Sequence, residues 1–117
     1  TERPVSVVLL AGVLERRLGK ISAVVSRSHL AWLVPATELA TLDTRKSQTK
    51  AARDALRFIE KEQHVRLSVM ADGGIAEAVA GAEKPVVVLS LNVPQDSVNL
   101  PPGTQCLNVD AFVQSYR

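Results

Sequence analysis

Between Leu30 and Glu62 the chain passes without a break through a short apolar run closed by Pro35, a short helical segment with acidic residues, a basic spacer and a strongly amphipathic helix. That order leaves few folds open. An apolar run with no polar alternation, ended by a proline that cannot continue a ladder, reads as a strand covered on both faces, as in a parallel sheet. In the helix that follows, Ala52, Ala55, Leu56 and Ile59 recur at helical spacing while Arg53, Arg57, Glu60 and Lys61 fall on the other side, and Thr49 stands ready as N-cap. Parallel strands need long crossovers, and here the crossover is helical.

The rest of the chain alternates in the same way. Leu10, Val13, Leu14, Leu18, Ile21 and Val25 predict one long first helix despite Gly12 and Gly19; Leu30–Val34 predicts a strand and Ala36–Leu42 a short helix. Val65–Met70 predicts a strand, Gly74–Ala82 a helix, and Pro85–Leu91 a strand around Val86-Val87-Val88. Asn92–Gly103, with Pro94, Pro101 and Pro102, reads as a turn-rich excursion before a short strand near Gln105–Leu107 and a last helix from Asp110. The fold class expected is α/β: an open, mainly parallel twisted sheet of about four to five strands with helices on both faces.

The 117 residues fit one domain, residues 1–117, and the sheet would start so close to Thr1 that a longer parent protein is expected. Trp32, Tyr116, Phe58 and Phe112 are the only aromatics, too few for a base-stacking platform, which argues against recognition-motif and OB-type readers. A net charge of +2 is mild, so any nucleic-acid contact must come from a local cluster rather than the total. Cys106 stands alone, so neither an internal disulfide nor a cysteine-rich metal site is available. His29 and His64 have no metal-ligand spacing, and Trp32 inside an apolar run reads as core. With no apolar run long enough for a membrane span and no signal-peptide pattern, a soluble cytoplasmic protein without membrane contact is expected.

These residues carry a family resemblance. Val34-Pro35, Leu42-Asp43, the segment Ala52-Arg53-Asp54-Ala55-Leu56-Arg57-Phe58-Ile59-Glu60 and the closing Leu107-Asn108-Val109-Asp110-Ala111-Phe112-Val113 resemble the PIN domain. The likeness is to the version at the C-terminus of nonsense-mediated mRNA decay factors that also carry a 14-3-3-like region. It covers essentially the whole chain, in short and mostly structural motifs. It implies a PIN-like fold, mRNA surveillance or decay proteins as partners, and single-stranded RNA as a further ligand.

An active PIN nuclease gathers carboxylates at the C-terminal ends of its strands to hold Mg²⁺ or Mn²⁺, which generate hydroxide and clamp the scissile phosphate. By the same resemblance this chain is degenerate. Val5, followed by Ser6, stands where the first aspartate is expected, Thr41 where the second acid belongs, and Ser90, Leu91 and Asn92 where aspartates follow the fourth strand. Asp72, beside Gly73-Gly74, lies near the third position, and Asp43 is kept. The stretch from Arg66 to Asp72 is shorter than in the relatives, which takes away part of the active-site wall. The expectation is a pseudo-nuclease with no metal and no cofactor, serving protein interaction or weak RNA binding. The alternative is a Mg²⁺- or Mn²⁺-dependent RNase using Glu38, Asp43 and Asp72, completed by Asp110 or by a partner chain. A small regulatory α/β domain unrelated to nucleic acid is the third reading.

Each residue also has a plainer role. Asp43 serves a helix end and the loop after it, and Asp72 a turn or cap. Asp-Gly-Gly is too short a signal to make a phosphate cradle. The cluster Arg45, Lys46, Lys50, Arg53 and Arg57 is the candidate RNA contact, through phosphates and without sequence preference. Its plain reading is a solvated helix face, partly neutralised by Asp54 and Glu60.

Overall fold

Burial on both faces of the central strands organises the molecule. The computed structural model describes residues 5–27, 30–63, 67–83, 85–91, 100 and 104–115. Among them, β1 (Ser6–Leu9), β2 (Ala31–Val34), β3 (Leu67–Val69), β4 (Val86–Ser90) and β5 (Thr104–Asn108) form one sheet, ordered β3-β2-β1-β4-β5. Every pairing is parallel. The helices are α1 (Ala11–Arg16), α2 (Leu18–Arg27), α3 (Ala36–Arg45), α4 (Lys50–Glu62), α5 (Ile75–Gly81) and α6 (Val109–Ser115). All of β1 and β4 is buried, Ser6 and Ser90 included.

Register decides which side chains share a face. Leu67, Trp32, Val7, Val87 and Gln105 lie side by side across the sheet. Alternation then puts Val8 and Val88 on the opposite face. Trp32 meets Phe112 of α6 edge to face, ring centres 6.1 Å apart and planes at 86°, so the first face is the one α6 covers. α1 packs on α2, α3 and α4, and α2 on α6, making one continuous helical layer. α5 packs against β1, and the return it makes from β3 to β4 reverses travel across the sheet. Right-handed crossovers therefore set α5 on the other face.

The expected α/β sheet with helices on both faces is present. Three expectations about its elements change. The first strand is Ser6–Leu9, whereas the sequence pattern draws Leu10 into a helix and leaves the run before it unassigned. The single long first helix is two, meeting at Arg17 with φ −127° and ψ 29°. Backbone bonds still bridge the bend, from Arg17 N–H to Val13 O at 2.9 Å and from Ile21 N–H to Arg17 O at 3.0 Å. Gly12 and Gly19 lower helix propensity on either side of it. The short helix predicted to end at Leu42 continues to Arg45, so Asp43 and Arg45 sit on a helix and not in a loop. Thr49 caps α4 as expected, its Oγ1 accepting from Ala52 N–H at 3.2 Å. Phe58 joins Ala52, Ala55 and Ile59 in the buried stripe of α4, while Leu56 is only partly buried. The Asn92–Gly103 excursion lies outside the described residues except Leu100.

Candidate functional site

In an open parallel sheet the place for chemistry is the crevice at the C-terminal strand ends where the direction of travel reverses. Here that switch point lies between β1 and β4, because the chain moves from β1 to β2 to β3 and then returns to β4 on the far side of β1. The residues that follow these strands are Leu10, 8% exposed, and Leu91, half-buried. Leu91 Cδ1 lies 3.7 Å from where a β-carbon on Gly12 would stand, so it packs down on the first turn of α1. Ser90, at the end of β4, is fully buried. Two leucines, one buried and one half-buried, thus stand at this edge of the sheet.

The position read as the first acid is corrected by this geometry. Val5 precedes β1, its N–H donating to Pro85 O at 2.8 Å and its O accepting from Ala31 N–H at 2.9 Å. It belongs to the N-terminal edge of the sheet, opposite the crevice. The residue that follows the C-terminal end of β1 is Leu10. Thr41 is exposed on α3 and its hydroxyl donates back to Thr37 O at 2.9 Å. Asn92 lies outside the described residues.

Glu38 comes nearest to the crevice. Its Oε1 accepts from Ala11 N–H at 3.0 Å, so a side chain of α3 caps α1, whose own N-cap residue, Leu10, has none to offer. A carboxylate suits the positive end of a helix, and it is spent there. Asp43 is five positions further along α3, about 140° around the axis at 3.6 residues per turn. It is exposed and pairs with Lys46 at 2.8 Å. Asp72 is exposed in the turn before α5, and Gly73 O accepts from Thr37 N–H at 3.2 Å, which ties that turn to the start of α3. Gly73 needs its φ of 95°, and a β-carbon there would stand 2.9 Å from Glu77 Cβ. Glu77, not singled out in the sequence, accepts from Gly74 N–H at 3.0 Å and caps α5. The structure thus brings Glu38, Asp72 and Glu77 to one end of the sheet and leaves Asp43 off their side of α3.

These donors do not fit a divalent ion. Glu38 and Glu77 already serve helix ends, and no three of the described Asp, Glu, His and Cys side chains come together as a ligand set. Asp110 is committed elsewhere. In the first turn of α6 it receives a hydrogen bond from Lys20 Nζ and has Arg17 Nε at 3.8 Å. Its N–H donates to Asn108 Oδ1 at 2.8 Å. The Lys20 hydrogen bond outweighs the opposing desolvation and, helped by the charges of Lys20 and Arg17, holds its carboxyl below the ordinary range.

The basic cluster is divided by the fold. Arg45 Nη1 reaches Glu15 Oε1 of α1 at 3.0 Å, Lys46 pairs with Asp43, and Arg53 Nη1 donates to Lys46 O at 2.9 Å. Lys50 and Arg57 are exposed on α4 and have no carboxylate within ion-pair distance among the described residues. Glu15, not singled out in the sequence, has a side chain only 6% exposed. Only the arrival of Arg45 from α3 reveals its role. Among the described residues no helix is long and apolar enough to cross a membrane.

No family model matches the chain, and no curated protein sequence matches it. Among solved structures, the PIN domain of human SMG5 superposes with a TM-score of 0.71 at 17% identity, covering 96% of this chain and 99% of that one. With a strand order built around the β1–β4 switch point and this likeness over nearly its whole length, the chain has the PIN-domain fold.

Proposed function

We propose that this protein is a PIN-fold domain without phosphodiester cleavage that works as a binding module in mRNA surveillance. The observation that carries the reading is the state of the β1–β4 crevice. Leu10 is buried there, Leu91 packs on the first turn of α1, and the nearest acid, Glu38, accepts from the backbone of α1. Metal-assisted hydrolysis needs carboxylates free to ligate and a path for water and phosphate. Two packed leucines supply neither.

The pathway rests on likeness. The motifs around Leu42-Asp43 and Ala52–Glu60 resemble those of nonsense-mediated decay factors, and the similar shape of the SMG5 PIN domain supports the same direction. Its partners would then be mRNA decay proteins, with single-stranded RNA as a weaker ligand, in the cytoplasm.

The test is cleavage of end-labelled single-stranded RNA in Mn²⁺ by the purified protein beside Glu38→Gln, Asp43→Ala and Asp72→Ala. The expected result is no product above the protein-free control in any lane. Cleavage by the parent that one of these substitutions abolishes would restore the nuclease reading.

A further inference from the structure

Parallel sheets are ordinarily covered on both faces, and this one is covered unevenly. On the face opposite α6 the side chains of β1 and β4, Ser6, Val8, Val86, Val88 and Ser90, are all buried, and α5 packs against β1 there. On the same face of β2 and β3, Ala31 and Ser68 are exposed and Leu33, paired in register with Ser68, is only half-buried. Trp32, Val34 and Leu67 on the α6 face are buried, so β2 and β3 are fully covered on one side alone. A helix about 10 Å across spans about two strands at about 4.8 Å spacing, which leaves room for one more helix beside α5. Two small uncharged residues around a leucine make a floor that such a helix can approach closely.

The border of this floor is acidic. From Leu67 to Glu83 the chain carries Asp72, Glu77 and Glu83 and no base. All three are exposed, and among the described residues none is in an ion pair. Arg66 and Lys84, which bracket the stretch, lie outside the described residues. Met70 Cε and Glu77 Cβ stand 3.6 and 2.9 Å from where a β-carbon on Gly73 would be, so Glu77 lies on the side of α5 next to the end of β3.

We propose that the face of β2 and β3 beside α5 docks a helix of a partner protein, apolar along the side that meets Leu33 and carrying Lys or Arg along its margins. The proposal rests on the binding-module reading above and gives that module a surface and a partner chemistry. A second copy of this chain does not supply the helix from its basic α4, whose Ala52, Ala55, Phe58 and Ile59 are buried in its own core. A nucleic acid does not suit the floor either, since a carboxylate border repels phosphates.

The test is an amide NMR titration with a synthetic peptide of Leu, Ala and Lys patterned as an amphipathic helix, about 18 residues long so that it is helical on its own. Its twin, with Glu for every Lys, is the control. The Lys peptide should shift the amides of Ala31, Leu33, Ser68 and α5 and leave those of α4 in place. Ala31→Arg and Ser68→Arg, both at exposed positions, should each weaken binding by about tenfold or more, and Glu83→Lys by about threefold. Glu60→Lys, the same charge change on α4, should leave affinity unchanged. Thermal unfolding of each variant checks that the fold is kept. No binding of the Lys peptide by the parent, equal binding of the Glu peptide, or equal losses from Glu60→Lys and Ser68→Arg would each overturn the proposal. A dimer of the parent in sedimentation that Ser68→Arg dissolves would hand the face to a second copy and overturn the partner. RNA cleavage in Mn²⁺ would instead strike at the underlying reading while leaving peptide binding on this face intact, so the two failures are distinct.

Discussion

The C-terminal edge of the sheet and the junction of α1, α3 and α4 both collect charged residues, and they use them in opposite ways. At the sheet edge the carboxylates of Glu38 and Glu77 accept from the backbone N–H groups that open α1 and α5, and Leu91 packs on the first turn of α1. At the junction Arg45 and Lys46 keep side chains 47% and 54% exposed although each has an acidic partner. A paired charge that stays wet still presents a field to a ligand. A charge that satisfies a helix end has become part of the fold.

The largest effect that would break this contrast is at Leu10. If the edge is packed core, Leu10→Asp puts a carboxylate where the native side chain is buried and costs about 3 kcal/mol or more in urea unfolding. A loss under about 1 kcal/mol would mean that the edge tolerates acids and is open. Next comes Glu38→Ala, which strips α1 of its cap and should cost about 1–2 kcal/mol, while Asp43→Ala on the same helix stays within about 0.5 kcal/mol. Equal costs would erase the distinction between an absorbed and a solvated acid. On the exposed side of α4, Lys50→Glu combined with Arg57→Glu should shift stability by no more than about 1 kcal/mol while reducing RNA affinity by at least about tenfold at low salt. A variant that lost stability instead would make these cations structural.

The smallest effect concerns pH. The Asp110 carboxyl lies below its ordinary 3.8, so the stability it lends is present above that value and is lost as pH falls through the lower folded-state pKa. Asp110→Asn should remove this acid-side loss and leave the slope of stability near neutral pH unchanged. The group is at the surface, so the change is small and shrinks further in salt.

Most of the architecture was legible because its signals are local. The Val86–Leu89 run, the stripe of α4 with Thr49 before it, and the proline after Val34 each announce an element within a few residues. β1 escaped because its apolar residues run straight into those of α1, and period alone does not divide a strand from the helix it feeds. The last turn of α3 escaped because Thr41, Asp43 and Thr44 are weak helix formers; in place, the two threonine hydroxyls bond back to the carbonyls of Thr37 and Ala40. The site was less legible. Placing the first acid position requires knowing where β1 ends, and the error about the strand carried Val5 to the wrong edge. The burial of Glu15 has no local signature at all, since it depends on a residue of another helix.

The strand order has a consequence for how the protein is made. β1 lies in the middle of the sheet, yet one of its two neighbours, β4, begins only at Val86. During synthesis the segments for β1, β2 and β3 leave the ribosome in turn and can pair, while the other margin of β1, with its backbone groups and the apolar Val7 and Val8, waits for most of the chain to follow. An unpaired margin of that kind invites pairing with a second nascent copy. The closing of the sheet by β4 is thus a late, long-range step, and a chain truncated after α5 should be held by chaperones or aggregate, although it contains three of the five strands.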